Sequence, residues 1–184
     1  MTIVQALASG VIPFGPNRVP VESTPREIFE LLHENWPGGN TLWYDYDGNE
    51  YRPRPSSAPR AVAFSREILC FDSGWKGLWI YFTRDGVIDY IDFTPPDWEP
   101  VGDAMDHRDG LISSHGSCSR NYWKTREALT NCLGQPVSVS ERDADKMIAQ
   151  WIYPVLLLEL RCQNHGNILT CDARIYHRPQ ERPL

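Results

Sequence analysis

Between Ala61 and Phe93 the chain divides into short β-branched and aromatic runs, Ala61 to Phe71, Leu78 to Phe82 and Val87 to Phe93, separated by Asp72-Ser73-Gly74 and Arg84-Asp85-Gly86. Connections this short join neighbouring strands only as antiparallel pairs, because a parallel pair needs a crossover of a dozen residues or more. The stretch therefore predicts an antiparallel meander, which Pro95-Pro96 ends. In the last strand Val87, Asp89, Ile91 and Phe93 share one side and Ile88, Tyr90 and Asp92 the other. Neither side is cleanly polar, so both are expected to be partly covered. Trp75, Trp79, Tyr81 and Tyr90 on these strands read as core packing.

The flanking segments supply helices and further strands. Thr24-Pro25-Arg26-Glu27 combines a capping threonine, a proline at the first helical position and a glutamate that can reach back, so a helix starts there. Ile28, Leu31 and Leu32 share one face of it, Trp36 closes that face, and Pro37-Gly38-Gly39 ends it. Thr41 to Tyr46 and the run after Asp47-Gly48 predict a hairpin. The acidic stretch from Asp45 to Glu50 lacks the distal ligand spacing of a calcium loop and reads as its turn. A second helix is predicted from about Asn121 to Leu133, with Gly134 as its cap and Pro136 beyond. A third is predicted from Ser140 to about Trp151, where Ala144, Met147, Ile148 and Trp151 recur at helical spacing. Val155 to Cys162 and Ile168 to Tyr176 form a last hairpin around Asn164-His165-Gly166-Asn167.

The fold class that follows is α+β: an antiparallel sheet with two or three packed helices, in a single domain over residues 1–184. A helix followed by antiparallel strands occurs twice, over about 22–95 and 119–177. Two helix-plus-strand pseudo-repeats are one construction of this pattern, and independent helices and hairpins are the other. In the second copy, Thr125-Arg126-Glu127-Ala128-Leu129, Leu133-Gly134-Gln135-Pro136, Trp151-Ile152-Tyr153 and the closing hairpin span about 55 residues. In that order they resemble beta-lactamase inhibitory protein-like domains and small bacterial immunity proteins of similar layout. The resemblance implies a binding module without catalytic residues, acting by inhibition or partner binding.

Charge and composition exclude several classes. The formal net charge of −6 disfavours nucleic acid, whose phosphates it repels, and favours a basic protein partner. The longest apolar run, Val155-Leu156-Leu157-Leu158, falls far short of the roughly 20 residues a membrane helix needs. Met1 to Gly10 has no basic residue ahead of its short apolar stretch, unlike a signal peptide, and a cytoplasmic location is expected. The five cysteines, Cys70, Cys118, Cys132, Cys162 and Cys171, form no C-x-x-C pair, so neither a zinc ribbon nor a disulfide framework is expected. All five read as reduced. A hairpin turning at His165-Gly166 would set Cys162 and Cys171 out of register with each other.

The stretch from Thr94 to Ser119 shows little periodicity and holds most of the candidate chemistry. Asp97, Trp98, Glu99, Asp103, Asp106 and Asp109 make an acidic surface around an aromatic anchor, which suits recognition of a basic partner. Trp123 is a second interface candidate. The chain is therefore read as an acidic protein-binding module of the immunity or inhibitor kind, blocking a partner such as a toxin. The alternative is a small hydrolase in which Asp103, Asp106, His107, Asp109 and His115, within the 97–118 stretch, bind a metal or act as general base. Cys118, after His115-Gly116-Ser117, lacks an orienting partner for nucleophilic work. No serine-hydrolase, zinc-protease or phosphate-loop motif occurs. No catalytic residue, metal ligand or cofactor is assigned. A structural subunit that buries its aromatics against its own copy is the third reading.

Overall fold

The structure is a computed structural model that describes residues 1–14, 17–35, 41–44, 50–51, 60–64, 68–70, 73–94, 108–143, 146–165 and 168–178. Helix α1 (Ile3–Ala8) leads into a hairpin of β1 (Val11–Phe14) and β2 (Asn17–Pro20), followed by α2 (Pro25–Asn35). Strands β3 (Thr41–Tyr44), β4 (Glu50–Tyr51), β5 (Ala61–Phe64), β6 (Ile68–Cys70), β7 (Ser73–Phe82) and β8 (Ile88–Thr94) come next. After α3 (Arg108–Leu133) the chain closes with β9 (Ser138–Asp143), β10 (Lys146–Ile152), β11 (Leu156–His165) and β12 (Ile168–His177). The main sheet is antiparallel, in the order β4-β3-β5-β7-β8-β12-β11-β10-β9, with β6 paired to β7 beside that path. Sheet dominates helix. Two meanders thus meet along a seam, where β8, ending the first, lies beside β12, ending the second.

The capping box on α2 is present. The backbone N–H of Glu27 donates to Thr24 Oγ1 (3.3 Å), and the backbone N–H of Thr24 donates to Glu27 Oε2 (2.7 Å). Thr24→Ala is expected to cost about 1 kcal/mol, read as a lower urea midpoint. An unchanged midpoint would show that the cap is redundant. The turn expected at Arg84-Asp85-Gly86 also forms, with Gly86 at φ +76°, a conformation other residues adopt only with strain.

One face of the sheet is the core. Ile80, Ile91, Phe93, Ile175, Leu158, Leu160, Ala149 and Trp151 are buried there, with Tyr122 and Leu129 of α3 and Ile28 of α2 in the same cluster. Phe14 of the first hairpin joins them, its ring 6.3 Å from that of Phe93. Strand β8 reaches this arrangement through a bulge. Tyr81 pairs with Tyr90 but Phe82 with Ile88, leaving Asp89 as the extra residue. The bulge turns Ile88 to the core beside Ile91 and Phe93, which an unbroken strand could not do.

Three expectations are corrected here. The helix predicted over Ser140 to Trp151 is the β9–β10 pair. Met147 and Trp151 are four residues apart and satisfy both periods, but the buried residue between them is Ala149 and not Ile148, the alternation of a strand. The aperiodic stretch ends sooner than expected, because α3 begins at Arg108 and carries Asp109, His115 and Cys118 on helical backbone. Gly110, Gly116 and the serines around them are poor helix formers and conceal its first turns. Lastly, the cysteines are not all reduced. Cys162 is disulfide-bonded. The register also sets Cys171 directly across from it, because the hairpin closes on the His165–Ile168 pair and not at His165-Gly166.

Candidate functional site

The second face of the sheet alternates with the core face residue by residue. In β11 Glu159, Arg161 and Gln163 alternate with buried Leu158, Leu160 and Cys162, and in β12 Asp172, Arg174 and Tyr176 alternate with buried Ala173 and Ile175. Pairing lines these residues up in rows across the seam. One row runs Tyr81, Tyr90, Tyr176, Leu157 and Ile152. The next runs Trp79, Asp92, Arg174, Glu159 and Gln150, and a third begins Asp172, Arg161 and Ile148.

The tyrosines of the first row, with Trp79 of the next, form a ladder of rings. Tyr81 and Tyr90 stack at 4.3 Å between centroids, Trp79 stacks on Tyr81 at 6.0 Å, and Tyr176 tilts against Tyr90 at 5.8 Å. Cross-strand aromatic pairs of this kind stabilise a sheet by up to about 1 kcal/mol each. The rings are half-buried. Burial, reinforced by neighbouring Tyr81, pushes the Tyr90 phenol up to about 12. Trp79, Tyr81 and Tyr90 are expected in the core from the sequence, and the correction follows from parity: Trp79 and Tyr81 flank buried Ile80, so they point the other way.

The adjoining rows hold a chain of paired ions. Arg174 Nη2 lies 2.6 Å from Asp172 Oδ2 and its Nε lies 3.2 Å from Asp92 Oδ2. Arg161 Nε donates to Asp172 Oδ1 at 2.8 Å, and Arg161 Nη1 is 3.9 Å from Glu159. Gln150 Nε2 donates to the second oxygen of Glu159 at 2.8 Å. The Arg174 guanidinium also lies 5.3 Å above the Tyr90 ring, a cation–π contact that joins the two rows.

Burial pushes the Asp92 carboxyl up to about 6, despite the attraction of Arg174. Burial works against the charge of Arg174 too, but Asp172 and Asp92 outweigh it and its pKa rises. The two directions are compatible. Arg174 faces two carboxylates, whereas Asp92 takes the longer of those two contacts, gains a weaker attraction from Arg161 and feels Asp172 as a like charge.

No protein-family model and no curated protein sequence matches the chain. Among solved structures, a DUF4309 family protein (YjgB) from Bacillus subtilis superposes with a TM-score of 0.46 and 11% identity, over 96% of this chain and 93% of that one.

A smaller cluster lies on α3. Glu141 of β9 accepts from the Tyr122 hydroxyl (2.9 Å) and from Arg126 Nη1 (2.6 Å), and the Arg126 guanidinium lies 5.1 Å from the Trp123 ring. Trp123 is 46% exposed, in keeping with its reading as a surface aromatic, although it stands on a helix. Of the binding residues expected from the sequence, Asp97, Trp98, Glu99, Asp103 and Asp106 lie outside the described residues, as does His107. Asp109 is in the first turn of α3, among residues described by backbone alone. Among the described residues no group of three or more His, Cys, Asp or Glu could hold a metal ion, and no helix is long and apolar enough to cross a membrane. The sequence signal for the ionic rows is the strict alternation of Glu159 to Gln163 and of Asp172 to Tyr176.

Proposed function

We propose that this chain is an acidic protein-binding module that blocks a basic protein partner, in the manner of an immunity or inhibitor protein, and that it does so with the outer face at the β8–β12 seam. The observation that carries this reading is the company the residues keep. Trp, Tyr and Arg are the side chains in which interface energy concentrates, and here Trp79, Tyr81, Tyr90, Tyr176 and Arg174 share one band. Carboxylates exceed guanidinium groups in the band, with Asp92, Asp172 and Glu159 against Arg161 and Arg174. That surplus matches the overall charge of −6 and would steer a basic partner toward the face. The ionic groups already pair with one another, so the face is ordered before any partner arrives, which lowers the entropy lost on binding. The likeness to inhibitor and immunity domains supports the same class of function.

The test is affinity capture by the whole chain, run beside Tyr176→Ala and Asp89→Lys. Asp89 is the exposed extra residue of the bulge, adjacent to Tyr90, so reversing its charge leaves the core untouched. A basic protein captured by the parent should be retained about tenfold less by Tyr176→Ala, a loss near 1.4 kcal/mol. It should associate more slowly with Asp89→Lys, with a weaker dependence on salt. Equal capture by two variants whose melting is unchanged would remove the outer face from consideration. Capture of an acidic protein only would defeat the charge argument.

A further inference from the structure

We infer that Cys162 is joined to Cys171 across the β11–β12 hairpin, and that this chain therefore matures in an oxidising compartment. Cys162 is disulfide-bonded, and the strand ladder identifies its partner. Cys132 keeps its thiol. Cys171 lies directly opposite Cys162 in the register.

Opposition alone is not enough, because only alternate pairs in an antiparallel ladder bring their side chains close enough. Non-hydrogen-bonded pairs have Cα atoms about 4.5 Å apart and the nearer Cβ atoms, whereas hydrogen-bonded pairs stand at about 5.5 Å. The parity can be read from the strand end. The Arg178 N–H donates to the Val155 carbonyl at 2.8 Å, which makes 155 and 178 a hydrogen-bonded pair in the continuation of the same register. Counting along the ladder, Cys162 and Cys171 fall an odd number of steps away, on a non-hydrogen-bonded pair. The opposite end agrees, because a two-residue connection closes on a hydrogen-bonded pair, here His165 and Ile168, and Cys162 is an odd number of steps from that as well. Cys162 faces the core and is 1% exposed, in the same column as buried Leu158 and Leu160.

Forming the bond removes two protons and two electrons from the two thiols. The electrons pass by thiol–disulfide exchange to a protein disulfide, which leaves as the dithiol. Oxidants of that class work outside the reducing cytosol, and a buried bond formed there persists. The cytoplasmic expectation came from the Met1 to Gly10 stretch, and five reduced cysteines were its consequence, which the bond at Cys162 contradicts. The bond also has a structural consequence whether or not the outer face binds a protein. A slip of β12 by one residue against β11 would carry Asp172 and Arg174 to the core side, and a crosslink at 162–171 forbids that slip.

The experiment traps the thiols of the intact chain in its own cells with acid and then an alkylating agent, and maps the peptides without reduction. A linked peptide holding Cys162 and Cys171, with neither residue alkylated, is the expected result. Alkylation of both in the cell would overturn the compartment. For the pairing itself, the chain is produced in an oxidising compartment and mapped in the same way, and a link from Cys162 to any other cysteine would overturn the register argument. Adding dithiothreitol should lower the melting midpoint of the parent by roughly 5–10 °C and leave that of the Cys162→Ala/Cys171→Ala double variant unmoved. A parent midpoint unaffected by full reduction would show that the bond does not hold the register.

Discussion

Replacing Trp151 with alanine is expected to cost about 3–5 kcal/mol of unfolding free energy, because the side chain is large, buried and attached to two elements at once. It is 2% exposed on the core face of β10. Its indole N–H donates to the carbonyl of Gly134 at 2.8 Å. Gly134 is the residue at which α3 stops, with φ at +85° and its own N–H donating to the Thr130 carbonyl at 2.9 Å. This is the left-handed glycine cap, and the carbonyl that Trp151 takes up is one that the helix itself leaves unsatisfied. Trp151 therefore pins the end of α3 to the sheet as well as filling the core. Trp151→Phe separates the two roles, since it keeps most of the volume and loses the donor. It should cost about 0.5–1.5 kcal/mol, the net worth of one hydrogen bond, because Gly134 is exposed and water can take up its carbonyl. Urea unfolding of both variants measures this. A loss below about 1 kcal/mol for Trp151→Ala would mean that the helix end is held by other contacts.

Trp151 also shows why one part of the fold was readable and another was not. Its spacing from Met147 fits a helix and a strand equally, and the decision rested on whether Ile148 or Ala149 was buried, which depends on what lies opposite. Strong local signals needed no such context. The capping box at Thr24 and Glu27 and the glycine after Leu133 announced a helix start and a helix end from a few residues each. The box at Thr2 and Gln5 is an equally local signal and marks α1. The outer face was concealed for another reason. Parity along β8 was read as unbroken, and the bulge at Asp89 is a property of the pairing with β7, which no single strand reveals. Composition alone places the aromatic residues of a central strand in the core. The alternation of Asp172, Arg174 and Tyr176 with Ala173 and Ile175 carried the correct orientation throughout.

A pH prediction follows from the same face. Burial raises the Asp92 carboxyl from its usual 3.8 to about 6, so this group binds a proton more tightly in the folded chain than in the unfolded one. Between roughly pH 4 and pH 6 the folded state therefore holds the extra proton, and stability contributed by this site falls as pH rises through that window. Above pH 6 the penalty is complete. A shift of this size corresponds to about 3 kcal/mol, an upper figure because Asp92 keeps a partner in Arg174 and some contact with water. Asp92→Asn keeps the shape and removes the charge, while Arg174 retains Asp172 at 2.6 Å. The variant should consequently gain on the parent as pH rises from 4 to 7, with the difference levelling off above 6. Subtracting the two stability profiles removes the titrations that parent and variant share and leaves the one at position 92. Urea midpoints collected at intervals from pH 4 to pH 8 provide that difference. If the variant instead lost ground to the parent as pH rose, the ion pair with Arg174 would outweigh the burial of the carboxylate, and Asp92 would be a stabilising anion held in place for its charge.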